Sequence, residues 1–346
     1  MKPENNKNNT FRNWGIALVC LAVIAFFILK SLFISGFDIK KTTYLYIDNK
    51  KSYKELLRQL DDSAHIKGLW IFKSMASSTG YPSKMKEGRY AIKEGQGILR
   101  IFRNLRNGSQ TPVKLTFNNI RTKQELTEKI GGQFMFGQQT LTSLLNDSAL
   151  CRKLGFDTNT IICMFIPDTY EYYWNIEPRD FLLRMNKNYQ RFWNESRKAK
   201  LSRVKLSPIE VMTLASIVEE ECRFVDEYPM VAGLYLNRLR NNQPLQADPT
   251  VKFAVNDFTL RRILLEHLKV NSPYNTYINK GLPPGPIRIP SAKAIDGVLN
   301  YTDHKYLYMC AKDDFSGRHN FAETFAEHHI NAMKYQKALN ERNIMK

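Results

Sequence analysis

The chain has 346 residues, 43% of them hydrophobic and 24% charged. That suits about two folded domains and excludes a disordered or fibrous protein. A net charge of +18 points to an anionic partner: nucleic acid, a membrane surface or an acidic polymer.

Residues 14–34 are apolar except for Lys30, which lies near the far end and can snorkel to an interface. A helix needs roughly 20 such residues to cross a bilayer, so this segment is read as a transmembrane helix. Lys2, Lys7 and Arg12 precede it, and Lys40 and Lys41 follow. A short basic tail before a first hydrophobic segment favours a cytoplasmic tail, residues 1–13, with the chain from about residue 37 exported. No small-x-small site follows the apolar run, which argues against a cleaved signal peptide. Beyond residue 40 the charge is still +15. The basic surface therefore belongs to the exported part, which favours a wall or membrane surface and disfavours nucleic acid. Cys151, Cys163, Cys222 and Cys310 are exported, where disulfides are permitted; their pairing stays open.

Residues 42–47 are β-branched and aromatic, a strand. Residues 52–60 have helical spacing with Ser52 as cap and Glu55 at the capping-box position. A second helix is expected over 65–75, a short strand over 87–95 and an amphipathic helix over 97–108, stopped by Gly108. Residues 113–117 alternate as a strand, and 122–146 are helical. The apolar run 161–166 leads into an aromatic segment, 167–174, and a long basic helix is expected over 179–197. Core packing is the commoner fate of such aromatics, with a sugar-stacking platform as the alternative.

Ser207-Pro208-Ile209-Glu210 then reads as a capped helix start. The helix it opens is apolar on most of its surface and ends in three carboxylates, Glu219, Glu220 and Glu221. Another helix follows over 226–239. Residues 245–251, 274–277 and 281–287 are read as loops, the first because Asp248 precedes a proline. A strand over 306–311, a return strand from 316–321 and a terminal helix over 323–340 complete the chain. The fold class is α+β.

The sequence has no Walker loop, no GxGxxG, no HExxH, no CxxC and no GxSxG. His328 and His329 are adjacent and point to different sides of a helix, whereas a metal pair needs i,i+3 or i,i+4 spacing. No metal and no cofactor is expected. What remains is acid chemistry by a carboxyl. Glu219 stands over Ala215 and Met212, Glu221 over Ile217 and Leu214, and Glu220 over the more polar Ser216 and Thr213. Spacing makes Glu219 and Glu221 the candidates for partial burial and does not choose between them. Burial and neighbouring carboxylates raise a carboxyl pKa, as a general acid near neutral pH requires.

Six ordered stretches resemble the endolytic murein (peptidoglycan) transglycosylases of the MltG/YceG-like family. They are 215–221, 233–239, 245–251, 274–277, 281–287 and 317–321, with 87–92 and 165–170 similar to upstream segments of the family. The resemblance implies a lytic transglycosylase that cuts the MurNAc–GlcNAc bond inside glycan strands and leaves 1,6-anhydro ends. It implies a LysM-like module, fitted here by residues 41–118, before a catalytic domain, residues 119–346. It selects Glu219 as the acid and base, and gives Gln246, Asp248, Tyr274 and Asn275 as sugar-binding candidates, with His319 rated lower. The implied setting is the inner cell membrane with the catalytic domain on the extracytoplasmic side. The expected partners are peptidoglycan glycan strands and peptidoglycan synthases. The rival reading is a protein of the same fold that binds wall glycan or a synthase without cutting.

Overall fold

The computed structural model describes residues 6–260 and 262–342. Residues 1–5 of the expected tail lie outside the described residues, as do Arg261 and residues 343–346. The chain divides into two compact units. One runs to Lys114 and takes in Gln133–Met135 and Glu171–Ile176; the other holds the remainder.

The first unit opens with α1 (Asn6–Phe33), within which Arg12–Phe33 is long and apolar enough to span a membrane. The helix starts earlier than the expected span, 14–34, and ends one residue sooner, at Phe33. Next come β1 (Thr43–Ile47), α2 (Tyr53–Arg58), α3 (Leu69–Ser78), β2 (Gly88–Ile92) and α4 (Ile98–Asn107). Ser52 caps α2 by accepting from Glu55 N–H at 3.2 Å. The strands β1 and β2 pair antiparallel, Thr43 opposite Ile92 and Ile47 opposite Gly88. Their alternating inward residues, Leu45, Ile47, Tyr90 and Ile92, meet Leu56, Leu60, Phe72, Phe102 and Leu105 in one apolar core. Helix α3 starts at Leu69, later than periodicity suggests. Ile66 forms a bridge with Phe37, and Lys67 N–H donates to Gly36 O, so tertiary pairing holds that stretch extended.

β3 (Val113–Thr116) leads into the second unit and pairs with β4 (Thr169–Tyr172). Between them lie α5 (Lys123–Gly131), α6 (Gly137–Asn146) and α7 (Ser148–Lys153), followed by a buried single turn, Ile161–Met164. The expected basic helix is two helices, α8 (Pro178–Phe192) and α9 (Glu195–Val204). The break falls at buried Trp193 and at Asn194, whose side chain accepts from Arg197 N–H and caps α9. Of the aromatic segment, Tyr172 is buried and Tyr173 is 55% exposed.

Then come α10 (Pro208–Glu221), α11 (Tyr228–Arg240), α12 (Asp248–Val255) and α13 (Ala292–Leu299). The stretch read as a loop at 245–251 thus ends inside α12. Pro249 falls in the first turn of that helix, where its missing N–H leaves no bond unmade. Strands β5 (Tyr308–Ala311) and β6 (His319–Ala322) pair antiparallel, and α14 (Phe325–Glu341) packs on both. The small sheets among many helices make the fold mixed α+β. The cysteines are free thiols, with Cys151, Cys163 and Cys222 buried and Cys310 partly exposed.

Candidate active site

The site is built on the end of α10. Its start is locked by a reciprocal cap: Glu210 N–H donates to Ser207 Oγ at 3.3 Å, and Ser207 N–H donates to Glu210 Oε2 at 2.8 Å. Every residue from Val211 to Val218 is buried, and α11, α12 and α13 pack around them. Ser216 Oγ accepts from Ile287 N–H at 3.0 Å, tying the Gly/Pro-rich segment to this helix. The helix is a fixed post, and Glu219, Glu220 and Glu221 emerge from it only partway. Successive helical residues turn by about 100°, so the three carboxylates face different neighbours.

Glu219 and Glu220 face arginines. Arg288 Nη1 lies 2.6 Å from Glu220 Oε1, and Arg121 Nη2 lies 3.1 Å from the same oxygen. Arg288 Nε is 3.6 Å from Glu219 Oε2, which also accepts from Ser291 N–H at 2.9 Å. Ser291 in turn caps α13. Two carboxylates and two guanidiniums thus balance one another, and they join three segments of the second unit.

Glu221 faces a cavity of about 280 Å³. Tyr235, on α11, donates its hydroxyl to Glu221 Oε1 at 2.9 Å. Burial is the main force on this carboxyl and pushes its pKa up to about 7; the Tyr235 hydrogen bond pulls the other way, and nearby Asp248 adds to the rise. Glu221 is thus poised to carry a proton near neutral pH.

Gln246 and Asp248 stand on the same cavity, with Tyr277 and His319. Tyr277 donates its hydroxyl to Asp248 Oδ1 at 2.6 Å. Gln246 has a left-handed backbone, φ 53°, held by Gln246 N–H donating to Thr276 O and by Arg238 donating to Gln246 Oε1 and Leu245 O. His319 N–H donates to Glu227 Oε1 at 3.0 Å, and its Nδ1 lies 3.4 Å from Glu227 Oε2, which fixes the ring.

The structure therefore brings Gln246 and Asp248 together with Glu221, and Glu219 is not among the residues lining that cavity. Tyr274 and Asn275 do not line it either. The Tyr274 ring packs on Phe253 at 4.7 Å. Asn275 is fully buried and spends both side-chain N–H donors on Leu268 O and Val270 O, so it has none left for a sugar. The two residues shape the loop that delivers Tyr277. Sequence reasoning missed Tyr235, Tyr277, Arg238 and Arg288. No helical spacing connects them to Glu221; the available signal was that Tyr235 and Arg238 lie within 233–239, Tyr277 within 274–277, and Arg288 directly after 281–287.

The YceG-like family model matches residues 45–334. The chain is 25% identical over 320 residues to an endolytic murein transglycosylase of Bacillus subtilis, covering 88% of each. It is 23% identical over 343 residues to one of Streptococcus pneumoniae, covering 89% of this chain and 61% of the streptococcal one. In fold it is similar to the crystal structure of a yceG-like protein from Listeria monocytogenes, with TM-score 0.55 and 24% identity over 84% of this chain and 99% of that one. The chain belongs to the YceG-like family.

Proposed function

We propose that this protein is a membrane-anchored endolytic lytic transglycosylase that cuts the MurNAc–GlcNAc bond within peptidoglycan strands, with Glu221 as the acid and base. The observation that carries the assignment is the environment of Glu221. It alone of the three consecutive glutamates lines the cavity with Gln246 and Asp248, and its pKa is pushed up to about 7. The activity by which the relatives are named, endolytic murein transglycosylase, supports the substrate and the reaction.

One carboxyl is enough for this chemistry. Protonated Glu221 gives its proton to the glycosidic oxygen, which leaves with the GlcNAc side as an alcohol. Positive charge develops at C1 of MurNAc. The Glu221 carboxylate then takes the proton of the C6 hydroxyl, and O6 bonds to C1 to close the 1,6-anhydro ring. The proton returns to Glu221 and no water is consumed. Ordinary glycosidases need a second carboxyl because they must activate water or form a covalent intermediate. Tyr235 orients Glu221, while Gln246 and Asp248 are the sugar-binding candidates that reach the cavity. Glu219, the acid implied by resemblance, has a positioning role in this reading, because its carboxylate is committed to Ser291 and Arg288.

The order β1–α2–α3–β2 with an antiparallel strand pair fits a LysM-like module in the first unit. Helix α1 would be the anchor in the inner cell membrane, with both units on the extracytoplasmic side and the peptidoglycan synthases as partners. The test is digestion of isolated peptidoglycan followed by mass spectrometry. The wild type is expected to yield 1,6-anhydro-MurNAc ends, and Glu221→Gln to lose about 10²–10⁴-fold of that activity with its fold intact. Intact glycan from the wild type would instead leave a protein that binds without cutting.

A further inference from the structure

Helix α1 runs from its apolar stretch directly into the first unit. Gly36 N–H donates to Gln96 O at 2.9 Å, and Gly36 O accepts from Lys67 N–H at 2.8 Å. The Leu32 carbonyl lies so close to Gly97 that a Cβ there would strike it. These ties hold the start of α4 against the last turn of the apolar helix. On α4 the stripe Ile98, Ile101, Phe102 and Leu105 is buried, which leaves Arg100, Arg103 and Arg106 facing out. None of the three has an ion-pair or hydrogen-bond partner among the described residues.

Arg100, Arg103, Asn104 and Asn107 form one side of a cavity of about 400 Å³, and Leu32 and Phe33 of α1 form the other. On its apolar side the cavity is open: Phe33, which lines it, is 61% exposed. Guanidiniums and an exposed apolar ring lining one cavity at the end of the apolar helix match the polar–apolar boundary of a bilayer.

We propose that this cavity binds the headgroup of an anionic phospholipid. The lipid phosphate sits between Arg100 and Arg103, whose planar forks suit its oxygens. Asn104 and Asn107 take the glycerol oxygens, and an acyl chain follows Leu32 and Phe33. The proposal rests on the reading of α1 as a membrane span. The bound lipid adds to the ties at Gly36 and holds the first unit at a fixed height on the membrane surface.

The experiment uses the full chain in mild detergent with equal amounts of phosphatidylglycerol and phosphatidylcholine, and counts retained lipid by native mass spectrometry. Two basic groups near a membrane surface are each worth about 1 kcal/mol, so phosphatidylglycerol is expected to exceed phosphatidylcholine by about tenfold or more. Arg100→Gln with Arg103→Gln is expected to bring the ratio to parity with an unchanged melting curve. Lys334→Gln on α14 is expected to leave the preference as it is. Equal occupancy by the two lipids in the wild type would overturn the proposal, as would displacement of phosphatidylglycerol by millimolar inorganic phosphate. Carbonate washing of membranes separates this from the anchor reading. Wild type and double variant should both stay in the membrane; release of the wild type would overturn the anchor and the proposal together, while retention with no lipid preference would overturn the proposal alone.

Discussion

The end of α10 presents the same residue three times in a row to two opposite environments. On one side Glu219 and Glu220 meet Arg288 and Arg121 at 2.6–3.6 Å. On the other Glu221 meets the Tyr235 hydroxyl at 2.9 Å and a cavity. The arginine side ties its carboxylates to guanidiniums from other segments, and so joins those segments. On the tyrosine side burial outweighs the hydrogen bond from Tyr235, so the carboxyl holds its proton to higher pH. In the proposed reading, chemistry at one residue and architecture at its neighbours thus follow from what surrounds them, not from residue type.

That contrast can be tested from both sides. The largest stability effect is expected on the arginine side. Arg288→Met leaves Glu219 and Glu220 short of a cation in a poorly hydrated place, where breaking one partner of an ion pair costs about 3–5 kcal/mol. Denaturant unfolding should show that loss; a change within error would make these pairs ordinary surface pairs and erase the contrast.

On the tyrosine side the sign reverses. The folded pKa of Glu221 is raised from 4.5 to about 7, so the native state takes up a proton in that window, and wild-type stability falls as pH rises through it. Glutamine does not titrate. Glu221→Gln is therefore expected to match the wild type more closely at pH near 4 and to exceed it at pH near 8 by on the order of 2 kcal/mol. Melting curves at the two pH values would show it. A variant less stable than the wild type at the higher pH would place Glu221 among the paired carboxylates.

The smallest effect is expected for Tyr235→Phe. It removes the hydrogen bond that holds the Glu221 pKa down, so the pKa rises and the alkaline limb of the activity profile moves up. A lost hydrogen bond is worth about 1 kcal/mol, which is roughly one pH unit or less. A limb that moves to lower pH would mean that the tyrosine does not stabilise the charged form.

How much of this was legible follows from where the information lies. The start of α10 was plain because Ser207 and Glu210 are three residues apart and cap each other locally. The apolar face of α4 was plain for the same reason, because periodicity is local, and β1 was plain from its β-branched and aromatic composition. The direction of each glutamate was not. Glu220 is paired by residues 99 positions before it and 68 after it, and Glu221 by one 14 after it. Helical spacing ranked Glu219 and Glu221 alike because it records only the residues beneath them. The stretches 245–251 and 274–277 were both read as carrying sugar-binding candidates, but Asn275 serves the backbone and Tyr277 reaches the cavity, a difference set by tertiary hydrogen bonds. The break between α8 and α9 was hidden by a continuous basic pattern, although Asn194 was a legible cap.

The most direct measurement compares Glu219→Gln and Glu221→Gln on the same isolated peptidoglycan, counting 1,6-anhydro ends per enzyme alongside the melting temperature of each. The expected result is that Glu221→Gln keeps its fold and loses cleavage by about 10²–10⁴-fold, while Glu219→Gln keeps most of its turnover and pays in stability. Loss of cleavage in well-folded Glu219→Gln, with Glu221→Gln still active, would contradict the assignment of Glu221 as the acid.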